Sequence, residues 1–185
     1  AGYAVRGSDA AAYPPMSTRL DRLGIRVLEG YDPAHLAPTS ERGAPSLTVV
    51  GNACTPTHPE AAYARDHGLV QTSLPGALAH VFLQQRRSLV VAGTHGKTTG
   101  LLAHVLSEAG RDPSFLVGGV MAGLDRTCAV GSGPHFVIEG DEYDSAYFDK
   151  RPKMLLYRPT DAIVTSLEFD HADIYDDWDD YRAAF

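Results

Sequence analysis

Residues 89–99 read Leu-Val-Val-Ala-Gly-Thr-His-Gly-Lys-Thr-Thr: an apolar run, a glycine turn, a lysine and paired threonines. Few folds accept that order. The apolar run predicts a short buried strand over Ser88–Ala92, Gly93–Gly96 form a turn with little side-chain bulk, and a helix follows over Thr98–Ala109. Where a strand turns directly into a helix, unpaired backbone N–H groups and the positive end of the helix dipole converge on phosphate oxygens. In such a nucleoside triphosphate cradle the lysine bridges the terminal phosphates and the next hydroxyl ligates magnesium, roles that fall to Lys97 and Thr98. The widest form of the motif carries glycine at the position held here by Val91, so Gly93-Thr94-His95-Gly96-Lys97-Thr98-Thr99 is a narrower subtype.

The flanking sequence alternates in the same way. Before the loop, strands are expected at Tyr3–Arg6, Ile25–Leu28 and Ser46–Gly51, the last as a buried parallel strand. Helices are expected at Ser17–Leu23 (with a serine cap), Pro59–His67 and Pro75–Gln84, with a proline-punctuated loop over 32–45. After it, strands are expected at Ser114–Val117, His135–Glu139, Met154–Tyr157 and Ala162–Ser166, while glycine-rich 118–133 reads as loop or irregular edge. Such βα alternation predicts an α/β protein with a parallel sheet: a Rossmann-like unit over 1–87, then a phosphate-loop unit over 88–185. The opening Ala1–Asp9 reads as a helix end and a strand closing on Ser8-Asp9, the usual second strand of a Rossmann-like unit, whose acid faces a ribose. The chain stops inside an expected helix at Tyr181–Phe185. Both units therefore read as incomplete, an internal piece of something larger.

At 185 residues with 44% hydrophobic content the chain has material for one or two cored domains. A formal charge of −7 argues against a nucleic-acid surface, which needs a basic face. Cys54 and Cys128 stand far apart in no metal or disulfide pattern, which fits a reduced, cytoplasmic setting. No apolar run approaches a membrane span and no leader pattern opens the chain.

Chemistry needs more than a phosphate loop. His135–Asp144 ends an apolar strand in four carboxylates within six positions, at the sheet edge where ligands of open α/β folds gather. Glu139, last in that strand, is the candidate magnesium ligand, since hard cations take carboxylate oxygens. The strand at 162–166 leads into Leu167-Glu168-Phe169-Asp170-His171-Ala172-Asp173. There His171 is a candidate second metal ligand, a helix cap or a core histidine.

Together, Gly93–Thr99, Glu139-Gly140-Asp141-Glu142 and Glu168-Phe169-Asp170-His171 resemble the motifs of the Mur ligase family, in the branch acting on UDP-N-acetylmuramate. Supporting stretches run from Gly7-Ser8-Asp9 to Tyr13-Pro14-Pro15-Met16-Ser17, and from Asp141-Glu142-Tyr143-Asp144 to Phe148-Asp149-Lys150-Arg151. The resemblance covers essentially the whole chain. It implies a UDP-sugar domain, a central ATPase domain and a closing C-terminal domain, with most of the first and the front of the second present here. It implies ATP and Mg2+, with Gly93, Thr94, His95, Gly96, Lys97, Thr98 and Thr99 on the phosphates. Thr98 and Glu139 would share one magnesium, Glu139 and His171 a second. His95 would lie near the acyl group being activated, with Ser8, Asp9 and Asn52 on the uridine or diphosphate. The implied reaction joins the murein tripeptide L-alanyl-γ-D-glutamyl-meso-diaminopimelate to UDP-N-acetylmuramate through an acyl phosphate, in peptidoglycan recycling. Alternatives are a ligase that adds free L-alanine to the same sugar nucleotide, a non-catalytic nucleotide-binding module, and an inactive isolated fragment. Two positions depart from the family pattern: Ser166 stands where asparagine is usual and Gly140 where alanine is usual. Neither removes a phosphate or metal ligand.

Overall fold

The computed structural model describes residues 3–93, 97–119, 126–141, 143–165 and 177–183. The chain separates into two compact units, Ala1–Thr72 and Ser73–Phe185.

In the first unit β1 (Gly7–Asp9) pairs in parallel with β2 (Val27–Glu29), setting Ser8 opposite Leu28 and Asp9 opposite Glu29. Parallel neighbours need a crossover, and α1 (Met16–Arg22) supplies it. The strand begins later than expected: Tyr3 and Val5 are exposed and, among the described residues, pair with no strand, and pairing starts at Gly7. The serine cap is also corrected. Pro15, whose backbone already lies in the helical region, takes the N-cap place without a side-chain hydrogen bond, so Ser17 falls inside the first turn. A second two-stranded sheet joins β3 (Thr48–Val50) to β4 (Gln71–Ser73), with α2 (Pro59–Asp66) between them in sequence. β3 buries Val50 and exposes Val49, so it is one-sided rather than buried on both faces. β4 escapes the sequence because Gln-Thr-Ser carries no apolar alternation.

The second unit opens with α3 (Leu74–Leu78), capped by Ser73 Oγ accepting the Gly76 N–H at 3.2 Å and running into a π turn over Ala79–Leu83. Its sheet contains β5 (Arg87–Ala92), β6 (Ser114–Leu116), β7 (Cys128–Ala129), β8 (His135–Gly140) and β9 (Asp161–Val164), in the order β7-β6-β8-β5-β9. All pairings are parallel except that of β7, a two-residue antiparallel edge inside the glycine-rich stretch. α4 (Lys97–Glu108) follows β5 and buries Thr99, Gly100 and Ala103, one stripe of a 3.6-residue period. Gly110 ends its last turn in a left-handed conformation, φ 67°.

Alternation along the strands divides the core. Val90, Ala92, Phe136 and Ile138 face one side, where they meet Leu83, Met154 and Tyr157. Val137 and Phe115 face the other, against Ala103 of α4. Because Leu83 and its neighbours Leu78, Ala79 and Phe82 pack on this sheet, the division between units falls ahead of the one near residue 87 drawn from sequence.

One element changes type. Met154–Tyr157, expected as a strand, lies in α5 (Lys153–Tyr157). Met154 and Tyr157 are 5% and 4% exposed while Leu155 between them is 50% exposed, so burial repeats at helical spacing. Arg158 ends the helix with φ 46°, ahead of Pro159. A final helix, α6, spans Trp178–Ala183. Among the described residues no helix is long and apolar enough to cross a membrane, and both cysteines are free.

Candidate active site

Three parallel strands end level. Ala92 closes β5 opposite Gly140 of β8 on one side and Val164 of β9 on the other. From that edge the β5 connection runs through α4 to β6, and the β8 connection runs through α5 to β9 on the opposite side of β5. Diverging crossovers leave a crevice beyond the strand carboxyl ends, the usual ligand position of such sheets.

Gly93 follows β5 with φ 119°, a conformation that L side chains rarely adopt. Lys97, the first residue of α4, is exposed; Thr98 is half-buried and Thr99 fully buried. Among the described residues Thr99 Oγ1 has no hydrogen-bond partner. Thr94, His95 and Gly96 lie outside the described residues, as do Glu142, Ser166 and His171.

Alternation along β8 puts Glu139 on the α4 side with Val137, opposite Val91 of the strand that feeds the loop. Gly118 N–H donates to Glu139 Oε2 at 3.1 Å. A Cβ at Gly118 would come within 2.8 Å of that oxygen, so any larger residue there would push the carboxylate aside. Two other acids of the cluster are already neutralised. Lys153 Nζ donates to Asp141 Oδ2 at 2.8 Å, and Lys150 pairs with Asp144. Lys153 also stands 5.8 Å from the Tyr143 ring centre, within cation–π reach. Glu139 alone of these three has no cation partner among the described residues. Beneath them burial, with the Asp141 and Glu139 charges adding to it, pushes the Tyr157 phenol far above its ordinary 10.0 and keeps it neutral.

Among the described residues no three His, Cys, Asp or Glu side chains gather for a metal. Magnesium does not need them: it keeps several waters and takes one or two carboxylates plus phosphate oxygens. The Glu139 carboxylate and Thr98 hydroxyl suit that demand. At the end of β9, Thr165 N–H donates to Ala92 O at 3.1 Å and holds the strand against β5 just before the 166–176 stretch.

The first unit carries the other candidates. Ser8 and Asp9 share the carboxyl end of β1. There a cavity of about 360 Å³ is lined by Asp9, Ala11, Ala12, Tyr13, Val27 and Glu29. Asp9 accepts the Ala11 N–H at 3.4 Å on its carboxylate and the Gly30 N–H at 2.8 Å on its carbonyl. The Ser8 hydroxyl donates to Glu60. Asn52 is exposed in the turn after β3, and among the described residues no hydrogen bond joins it to Ser8 or Asp9. Glu60 and Lys153 were missed from sequence. An acid after a proline at a helix start is an ordinary first-turn residue, and only the tertiary fold reveals its partners.

The chain resembles known proteins along nearly its whole length. A profile described as the Mur ligase family, catalytic domain, matches residues 1–86. The chain is 45% identical over 178 residues, 95% of its length, to UDP-N-acetylmuramate--L-alanyl-gamma-D-glutamyl-meso-2,6-diaminoheptandioate ligase of Haemophilus influenzae. It is 42% identical over 187 residues, 100% of its length, to UDP-N-acetylmuramate--L-alanine ligase of Kineococcus radiotolerans. A crystal structure of UDP-N-acetylmuramate:L-alanyl-gamma-D-glutamyl-meso-diaminopimelate ligase from Neisseria meningitides matches with TM-score 0.89 at 41% identity, over 99% of this chain and 59% of that one. This chain spans 38% of the length of the first relative and 37% of the second.

Proposed function

This chain belongs to the Mur ligase family, and we propose that it supplies the sugar-nucleotide part and the front of the ATP part of an amide ligase. In this reading the first unit serves UDP-N-acetylmuramate and the second serves ATP. A lactyl carboxylate oxygen attacks the γ-phosphorus, the bond to the β–γ bridging oxygen breaks, and ADP leaves an acyl phosphate. The amine of L-alanyl-γ-D-glutamyl-meso-diaminopimelate then attacks the acyl carbon. Phosphate departs, the amine loses a proton, and an amide remains.

A carboxylate approaching a triphosphate meets strong charge repulsion, so the site must offer positive charge and donors placed in advance. Lys97 and the backbone donors at the start of α4 meet that need, with Gly93 and Thr94 to Thr99 as the phosphate loop. Thr98 and Glu139 would hold a magnesium ion, with His171 a candidate for a second. Magnesium bound there would draw charge from the phosphate oxygens. His95 is proposed beside the sugar's acyl group, and Asp9 and Asn52 at the uridine or diphosphate. The observation that carries this reading is Glu139, free of cations among the described residues and one strand from the glycine turn that ends in Lys97.

The acceptor has two candidates, since one relative named above is a tripeptide ligase and another an L-alanine ligase. The test is phosphate release from ATP by the full-length protein carrying this chain. Release that needs both UDP-N-acetylmuramate and the tripeptide supports the proposal. Release with L-alanine instead moves the protein to the second class, and release without either acceptor or sugar nucleotide refutes ligation.

A further inference from the structure

Glu60 is a charged residue only 8% exposed, held at the start of α2. A buried carboxylate is costly unless its oxygens are satisfied, and here partners from two separate segments satisfy them. Ser8, in β1, donates its hydroxyl to Oε2. The backbone N–H of Asp32 reaches Oε1 at 3.3 Å, and His35 Nδ1 stands 2.7 Å from the same oxygen. Asp32 and His35 belong to one short segment, a 3-10 turn over Pro33–His35 capped by Asp32 accepting the Ala34 N–H at 2.8 Å. One carboxylate thus ties together β1, the segment after β2, and α2.

What this knot holds is the carboxyl end of β1. Ser8 precedes Asp9, whose carbonyl accepts from Gly30 and whose side chain lines the cavity at the ends of β1 and β2. In a three-residue strand paired on one side among the described residues, few ladder bonds fix the last residue, so the side-chain anchor next to it counts for more.

We infer that Glu60 is a positioning residue for the sugar-nucleotide site: it fixes Asp9 at the mouth of the β1–β2 cavity by gripping Ser8, Asp32 and His35, and touches no ligand itself. The inference rests on the reading of the first unit as the sugar-nucleotide part. It also reassigns Ser8. Its hydroxyl proton is committed to Glu60, so Ser8 serves the site through that bond rather than by donating to substrate.

The test uses the full-length protein and four forms: wild type, Glu60→Gln, Ser8→Ala and the double variant. Glu60→Gln keeps shape and one acceptor oxygen, which guards against a folding failure. Hydrogen bonds to a charged group are worth about 1.5–3 kcal/mol, or roughly ten- to hundredfold in an equilibrium. Glu60→Gln is expected to weaken UDP-N-acetylmuramate binding in titration calorimetry toward the lower part of that range. The KM for the sugar nucleotide should rise by the same factor, with kcat and the KM for ATP held. Ser8→Ala is expected to do the same to a smaller degree. The double variant should lose less than the two single effects combined, because both act through one bond.

Wild-type affinity in Glu60→Gln would overturn the inference, as would additive losses in the double variant, which mark Ser8 as a direct ligand. Equal damage to kcat and to the KM for ATP would show a merely structural role and also overturn it. A wild-type protein that does not bind UDP-N-acetylmuramate would instead bring down the functional reading beneath it.

Discussion

Lys97 opens α4 with its side chain exposed and, among the described residues, in no ion pair, so replacing it removes charge without opening the core. Lys97→Ala in the full-length ligase is expected to lower kcat roughly 10²–10³-fold, the usual cost of losing one preorganised donor to a developing oxyanion. Its melting temperature should match wild type, and turnover within a few-fold of normal would end the phosphate role. Glu139 calls for a different probe, since its carboxylate both accepts from Gly118 and serves as the proposed metal ligand. Glu139→Gln retains an acceptor oxygen and loses the charge. The magnesium concentration for half-maximal ligation should rise several-fold at unchanged fold stability. An unaltered magnesium titration would exclude Glu139 as a ligand. The same substitution at Asp141 should act differently, because that carboxylate is already paired with Lys153.

At the scale of the element, α5 ties the sheet to the acidic edge through Tyr157. Burial first, then the charges of Asp141 and Glu139, raise its phenol above the ordinary 10.0. The folded protein therefore holds the phenolic proton more tightly than the unfolded chain does. Stability from this group is intact below pH 10 and drains away as pH climbs beyond it. Tyr157→Phe should show a shallower fall in melting temperature than wild type between about pH 9 and pH 11, and parallel curves would contradict this. The same helix marks where the sequence stopped being legible. Lys-Met-Leu-Leu-Tyr is too short for periodicity to separate strand from helix, and the choice came from Met154 and Tyr157 both packing on the far side of the sheet from α4. β5 and α4 were legible because an unbroken apolar run, a glycine turn and a twelve-residue amphipathic stretch agree with one another. Glu139 stood out in the sequence because an apolar run precedes it, and it lies next to last in β8. The Glu60 knot was not, because its partners stand 52, 28 and 25 positions away and nothing local announces them.

For the second unit as a whole, the phosphate-loop strand is interior, and β9 is one of the two edge strands among the described residues, the other being the two-residue β7. All of β9 is exposed, and Ile163 and Val164 are 43% and 46% exposed. One side of the strand pairs with β5; among the described residues the other presents an open row of backbone donors and acceptors flanked by apolar side chains. Edges of that kind template pairing with another chain, and the only charge in the strand, Asp161, is engaged by Arg87 at 3.0 Å. The 185-residue chain studied alone is therefore expected to self-associate, with an average mass that climbs with concentration in sedimentation velocity. Ile163→Lys places a charge on the edge and should return most of the material to monomer without lowering the melting temperature, because the side chain leaves little buried contact behind. Wild-type chain that stays monomeric at high concentration would show the β9 edge to be protected. Association that persists unchanged in Ile163→Lys would place the sticking surface elsewhere, with the exposed Tyr3, Val5 and Tyr13 of the first unit the next to test.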